Sequence, residues 1–288
     1  MANLILYLAT VLIWGSTWYA IDFQLGVVEP SVSLAYRYLI AAGIAFAWCV
    51  ATRRSLRFPL RSHVRFLLLG TFLFGLNYLS AYQAQFYISS ALNAIGFSTM
   101  IVINMLNAWL FFRRRPTGRM YLGAALGIAG ILLVFLPEVE EVALTDAILI
   151  GMFFSVLGTL FASFGNIASE AMQRDRLPIM QANAWGMLYG ALLNILIAVA
   201  QGKPFVIDTS LTYLGSLVYL AVIGSVVAFA CYLTLLGRIG LERAGYASVL
   251  IPVVALLFSV MLEGLQPGVT LLAGLTLAVA GNVFVLKR

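Results

Sequence analysis

Three stripes of aromatic residues stand at helical spacing in this chain. Trp14 and Trp18 are four residues apart, Phe74, Tyr78 and Tyr82 recur every four, and Trp185 is followed by Tyr189. Side chains so spaced share one helix face. A flat ring lying between such side chains gains about 0.5–1.5 kcal/mol per stacked pair beyond the area it buries. Uncharged polar residues occupy the same or neighbouring stretches: Asn77, Ser98, Asn104, Ser163, Asn166 and Ser248. Such groups can hold the amino and carboxylate ends of a zwitterion. They can equally bond a neighbouring helix or their own backbone.

The chemistry of bond making has no such support. The single histidine, His63, sits at the edge of an apolar stretch, and no Asp or Glu stands near the middle of one. Hydrolysis inside a membrane needs a nucleophile with a base, paired aspartates or a metal, so neither a catalytic residue nor a metal ligand set is expected. Cys49 and Cys231 are far apart, with no C-x-x-C pairing to suggest a zinc site. No G-x-x-x-x-G-K-[ST] loop is present, so no ATP site or other cofactor is expected within this chain and no ATPase subunit is needed. Arg37 is the one basic residue well inside an apolar stretch. It has two readings: it attracts a substrate carboxylate or forms an outer gate, or it pairs with Asp22 or Glu263 at the outer rim. Available opposite charges favour the second. Deep aromatic residues also have two readings, cavity lining and helix packing, while Tyr7, Tyr36 and Tyr213 fit an interfacial belt.

The elements that must position these groups follow from composition. Of 288 residues, 62% are apolar and 10% charged, against roughly half and a quarter in a soluble domain. That excludes a soluble enzyme, a nucleic-acid-binding domain and a disordered protein. The runs are too continuous for an outer-membrane barrel, whose strands alternate apolar and polar residues. Breaking the chain at Pro, Gly and charge clusters gives segments near 3–22, 31–51, 64–86, 89–112, 119–136, 145–171, 178–201, 211–236, 242–262 and 267–286. Each is about the ~20 residues a helix needs to cross ~30 Å of hydrocarbon. The first lacks a positive n-region and a small-residue cleavage site, so it reads as a retained span. The expectation is an all-α integral membrane protein of ten transmembrane helices in one bundle.

Charge orients it. Of the 17 Lys and Arg, 15 fall on alternate connections or at the C-terminus: Arg53, Arg54, Arg57, Arg61 and Arg65; Arg113, Arg114, Arg115 and Arg119; Arg174 and Arg176; Arg238 and Arg243; Lys287 and Arg288. Asp22, Glu29, Glu138, Glu140, Glu141, Asp146, Asp208 and Glu263 fall on the other face. By the positive-inside rule both termini are cytoplasmic. The net charge of +6 is then an orientation signal and not a nucleic-acid footprint.

The halves resemble each other at a shift near 150 residues. Gly123, Gly127 and Gly130 answer to Gly274, Ala278 and Gly281, and Tyr82, Ala94, Ser98 and Ile101 to Tyr232, Ala244, Ser248 and Ile251; Pro30 and Pro178 each open a span. Five spans per repeat, 1–141 and 142–288, make the second enter the bilayer from the opposite side. A substrate site near the midplane then lies where the repeats meet. The small-residue rows permit close packing and read as scaffold.

On this plan several short motifs appear in order: Trp14-Gly15-Ser16, Arg37-Tyr38 after Pro30, Pro252 followed by Met261-Leu262-Glu263, and the Gly-rich fifth and tenth spans. The chain thereby resembles the drug/metabolite transporter superfamily, specifically its ten-span EamA-type members. Within it the sequence looks most like the bacterial aromatic amino-acid exporters (the YddG type). Where span nine has Pro252 and Glu263, span four has Val102 and Arg113, which sets a symmetric gating role for these positions in doubt. The resemblance implies a carrier in the bacterial inner membrane that exports neutral aromatic amino acids and, in some members, the aromatic dication paraquat. The residues themselves suggest alternating access, with Trp14, Trp18, Asn77, Tyr78, Tyr82, Ser98, Trp185 and Ser248 as the substrate-binding candidates. Arg37, Pro252 and Glu263 are gating or structural candidates. A small aromatic substrate and the lipid bilayer are the partners expected, and ten spans suffice for a monomeric carrier. A broad exporter of drugs or aromatic cations is the alternative on the same fold.

Overall fold

The computed structural model describes residues 2–134, 145–254 and 269–286, and every regular element among them is helical. In chain order they are α1 (Ala2–Asp22), α2 (Pro30–Ala51), α3 (Leu60–Gln85), α4 (Ser90–Ser98 and Met100–Phe112), α5 (Gly118–Val134), α6 (Asp146–Arg174), α7 (Ile179–Ala200), α8 (Leu211–Ile239), α9 (Leu241–Ala244, with helix resuming over residues 247–254) and α10 (Val269–Leu286). Seven of these, α1–α4 and α6–α8, are long and apolar enough to cross a membrane, and α5 and α10 contain shorter apolar helices. Glu263, the acidic residues 138–141 and the division at 141/142 lie outside the described residues.

Local chemistry sets the ends. Pro30 starts α2 where its missing N–H costs nothing. Ser89, Thr145 and Ser210 cap α4, α6 and α8, each accepting a backbone N–H three residues on. α2, α4 and α6 each run out into a left-handed arginine, Arg53, Arg113 and Arg176. Backbone N–H groups just beyond these turns return to carbonyls in the last turn, Arg54 to Cys49 and Leu177 to Met172.

The bundle is inside-out relative to a soluble protein. Thr10, Ser33, Asn93, Asn104, Ser155, Thr159, Ser163 and Asn194 are fully buried, while Leu4, Ile5, Leu8 and Leu12 of α1 and Leu192, Leu196 and Val199 of α7 face outward. Apolar surface on this scale is stable in hydrocarbon and not in water. The buried polar groups join helices. Ser163 donates to Asn104 and accepts from Asn107, tying α6 to α4, and Ser155 donates to the Asn93 carbonyl. Such bonds contribute on the order of 0.6 kcal/mol each. Asn104 and Ser163 thus serve helix packing, one of their two readings.

Neighbours run antiparallel. In α2 and α7, Glu29 meets Lys203 and Phe46 meets Trp185. In α5 and α10, Gly123 faces Val285 and Gly281, whereas Gly130 faces Ala278 and Gly274. A Cβ on Gly130 would stand 2.5 Å from the Ala278 backbone nitrogen, so only glycine allows this approach. α1 and α8 are likewise antiparallel, with Asn3 at Arg238 and Gln24 at Ser216. So are α3 and α6, with Arg65 at Asp175 and Asn77 at Gly158.

Two helices carry an irregularity the sequence does not announce. α3 widens into π-helix over Gly70–Leu76, and α8 does so over Val222–Val227. The two begin 152 residues apart, close to the shift near 150 residues at which the two halves of the sequence resemble each other. An extra residue in a helical turn frees a carbonyl and rotates the remainder of the helix about its axis.

Candidate functional site

Just beyond the two π segments, Asn77 and Tyr78 of α3 and Phe229 and Tyr232 of α8 line a cavity between the helices. Its volume is about 60 Å³, and it is partly open to the outside. Its wall draws on α1, α3 and α4 from the first half and α6, α8 and α9 from the second. Six rings line it: Trp14 and Trp18 of α1, Tyr78 of α3, Phe97 of α4, and Phe229 and Tyr232 of α8. Trp14 packs edge to face on Phe229 and tilted on Tyr232, and Trp18 packs edge to face on Phe97. Trp14 lies 4.9 Å from Phe229 and 4.8 Å from Tyr232, and Trp18 lies 5.4 Å from Phe97, between ring centroids. The indole N–H of Trp14 donates to the Gly224 carbonyl at 3.2 Å, inside the π segment of α8. The widened turn thereby fixes the ring that divides the wall.

The polar lining is uncharged: Thr17, Asn77, Asn166 and Ser248. Asn77 donates to the Leu73 carbonyl, and Asn166 donates to the Tyr232 hydroxyl. Each amide is held by its NH2 end. Each carbonyl oxygen, Oδ1 of Asn77 and Oδ1 of Asn166, is buried without a hydrogen-bond partner. Buried acceptors left open in this way are costly unless something donates to them. Ser248 uses its hydroxyl on the Gly245 carbonyl.

Of the eight substrate-binding candidates, the cavity brings together Trp14, Trp18, Asn77, Tyr78 and Ser248. Three lie elsewhere. Tyr82 is buried one turn beyond Tyr78, against Arg37. Ser98 is buried on α4 between the lining residues Phe97 and Met100 without reaching the described lining. Trp185 stands apart, its N–H on the Leu56 carbonyl and its ring 4.6 Å from His63 and 5.0 Å from Phe46. His63 in turn meets the Tyr189 hydroxyl at 2.8 Å. The α7 stripe therefore packs against the arginine-rich connection after α2. Pro252 is buried in α9, next to the lining residue Ile251.

Phe97, Phe229, Tyr232, Thr17 and Asn166 supply the other rings and polar side chains of the wall, and aliphatic residues and Met100 fill the rest. Tyr232 and Asn166 had a signal, since Tyr232 is the repeat partner of Tyr82 and Asn166 is polar within a span. Phe97 and Phe229 had none, because an isolated phenylalanine in an apolar helix looks the same whether it faces lipid, core or cavity.

Arg37 is 1% exposed, and Glu263, one of its two expected rim partners, lies outside the described residues. Among the described residues its Nε donates to Ser225 in the π segment of α8 at 3.0 Å, and Nη1 reaches the Tyr82 hydroxyl at a long 3.5 Å. Its guanidinium carbon lies 4.5 Å from the centre of the Tyr78 ring and 5.4 Å from that of Tyr38. Nη2 has no hydrogen-bond partner. Asp22 accepts from Gln85 at 2.9 Å.

At the end of the bundle that carries the arginine connections, Glu170 closes α6 onto its neighbours. It pairs with Arg114 of the connection after α4 and with Arg174 at 3.0 Å, and accepts the Leu241 backbone N–H of α9 at 2.9 Å. Arg114 also meets Glu242 at 3.1 Å.

A bundle of apolar helices around an aromatic, uncharged cavity is the arrangement expected of a membrane transporter. The EamA-like transporter family model matches residues 1–136 and again 149–287, and the chain belongs to that family. It is 22% identical to an uncharacterized transporter, YoaV, of Bacillus subtilis (strain 168), over 98% of this chain and 96% of that protein. A probable amino-acid metabolite efflux pump of Salmonella typhimurium (strain LT2) is 28% identical over 97% and 94%. An inner membrane transporter of Escherichia coli (strain K12), YedA, also uncharacterized, is 26% identical over 89% and 81%. A solved crystal structure superposes with a TM-score of 0.80 at 19% identity, covering 99% of this chain and 96% of the other. That likeness concerns the fold.

Proposed function

We propose that this protein is a secondary carrier that exports small neutral aromatic metabolites, chiefly aromatic amino acids, across the bacterial inner membrane by alternating access. The carrying observation is the cavity: six rings and two open amide oxygens, drawn from equivalent helices of the two halves, with no ionisable acid or base in the described lining. The rings take a flat apolar body, and the amide oxygens accept from an ammonium. The relative in Salmonella named as a probable amino-acid metabolite efflux pump points to the same class of cargo.

The architecture of the reading is ten spans in two inverted five-helix repeats, 1–141 and 142–288, with both termini in the cytoplasm, acting as a monomer. It is supported by the double match to one family model, by the antiparallel pairing of α2 with α7 and α5 with α10, and by the π segments at equivalent places. Two similar halves exchange conformations by rocking about the shared site. Without a carboxylate in the described lining to carry a proton, the substrate's own gradient drives export.

The test is counterflow. Purified protein is placed in liposomes loaded with unlabelled amino acids, and entry of labelled phenylalanine is followed. Acceleration by internal phenylalanine or tryptophan, and not by aspartate or lysine, is the expected result. Equal acceleration by all four overturns the assignment. A ring cage also suits cations by cation–π attraction, the observation behind a broader exporter; competition by paraquat reads that alternative.

A further inference from the structure

Behind the cavity wall stands a positive charge that no carboxylate among the described residues cancels. We infer that Arg37 sets the charge selectivity of the cavity: its guanidinium draws the carboxylate end of an aromatic substrate toward the Tyr78 face and turns aromatic cations away. The inference rests on the proposed function and narrows its substrate class to aromatic carboxylates, zwitterions above all.

An ionised side chain buried among apolar helices is costly and is retained for a reason. The partners of Arg37 among the described residues are neutral: the Ser225 hydroxyl, the Tyr82 hydroxyl and the faces of Tyr78 and Tyr38. Ser225 is itself anchored, donating to the Leu220 carbonyl at 2.9 Å, so the π segment of α8 holds the guanidinium in place. These contacts solvate the charge without neutralising it. Nη2 keeps its donors free and lies beside Gly224, 3.6 Å from where a Cβ of that residue would stand. The same hypothetical Cβ would stand 2.9 Å from the methyl of Thr17, a lining residue. The open donor is therefore one side-chain layer from the cavity, behind Tyr78.

The position decides what Tyr78 can do. Its ring has a guanidinium 4.5 Å from its centre, so the quadrupole that would attract a cation from the cavity is already engaged. Across so thin an apolar layer a charge is weakly screened. An approaching cation meets repulsion, and a carboxylate meets attraction. The open oxygens of Asn77 and Asn166 accept an ammonium. A zwitterionic aromatic amino acid satisfies both demands, whereas an amine without a carboxylate satisfies one and opposes the other. Discrimination built from an attractive and a repulsive element together is how sites separate isosteres.

The wild-type protein in liposomes provides the first test. Labelled phenylalanine counterflow is competed by 3-phenylpropionate, which lacks the ammonium, by phenethylamine, which lacks the carboxylate, and by paraquat. Inhibition by phenylpropionate at roughly tenfold lower concentration than by phenethylamine is expected, one charge-assisted contact being of that order, with paraquat weaker still. Arg37→Gln is expected to erase that preference while phenylalanine still exchanges, and Arg37→Lys to keep it in part. Equal inhibition by phenylpropionate and phenethylamine in the wild type overturns the inference whatever the variants do. A preference unchanged in Arg37→Gln overturns it as well. Absence of any aromatic amino-acid exchange in the wild type overturns the proposed function and this inference with it, so the two failures are told apart.

Discussion

At the scale of single residues, the rings of the cavity separate into those that face the void and those that fill the bundle. Removing Trp14 deletes contacts to Phe229 and Tyr232 and the anchor on the Gly224 carbonyl. Trp14→Ala and Tyr78→Ala are each expected to raise the half-saturation concentration for phenylalanine about two- to tenfold, the range that one stacked pair represents. Trp185→Phe is expected to leave it unchanged, because Trp185 packs against His63 and Phe46 away from the cavity. Counterflow measured over a range of phenylalanine concentrations checks all three; a shift for Trp185→Phe comparable to that for Trp14→Ala would disprove the placement. The aromatic character of the site was legible in the sequence because Trp14, Trp18 and Tyr78 repeat at helical spacing. The same spacing in Trp185 and Tyr189 misled, since spacing shows that residues share a face and not what that face meets. The described contacts of Arg37 with Ser225, Tyr82 and the faces of Tyr78 and Tyr38 were not legible either, since only three-dimensional packing reveals them.

At the scale of elements, hydrophobic runs and proline positions located the helices well. The described boundaries of α1, α2, α4 and α7 fall within one or two residues of the segments read from sequence. α3 and α6 begin or end a few residues away, in polar turns where the helix continues beyond the apolar stretch. The π segments were invisible, because one extra residue in a hydrogen-bond ladder changes no composition. The small-residue rows of α5 and α10 were legible, and they now have a test. Gly130→Leu places side-chain atoms against the Ala278 and Gly274 backbone. It is expected to cost roughly 1–3 kcal/mol by overpacking, read as a lower melting temperature in detergent. Gly43→Ala, whose added methyl meets nothing within 4 Å, is expected to leave that temperature unchanged or slightly raised; equal losses in both would remove the close-packing argument. The Glu170 cluster ties α6 to the connection after α4 and to α9. Glu170→Ala leaves the Leu241 N–H and Arg114 without their acceptor and is expected to cost about 2 kcal/mol. Glu170→Gln, which still accepts the N–H, is expected to lose less in the same melting measurement.

At the scale of the whole molecule, the orientation read from the arginine-rich connections is open to direct measurement. In a chain with Cys49 and Cys231 replaced by serine, single cysteines at Arg57 and Arg115 are expected to react with a membrane-impermeant maleimide only from the cytoplasmic side. A cysteine at Lys203 is expected to react only from the opposite side. Labelling of all three from one side would break the inverted arrangement. The charge alternation that predicts this spans the entire chain, so the expected topology rests on many residues, while the proposed cargo rests on a few rings and one guanidinium. Arg37, which no carboxylate among the described residues cancels, has an electrical consequence as well. A full charge crossing the bilayer couples to voltage by about 2.3 kcal/mol per 100 mV. A transition that carries this guanidinium even a tenth of the way along the membrane normal therefore gains or loses on the order of 0.2 kcal/mol per 100 mV. A carrier whose zwitterionic cargo has no net charge would still sense whether the cell is energised, through its own scaffold.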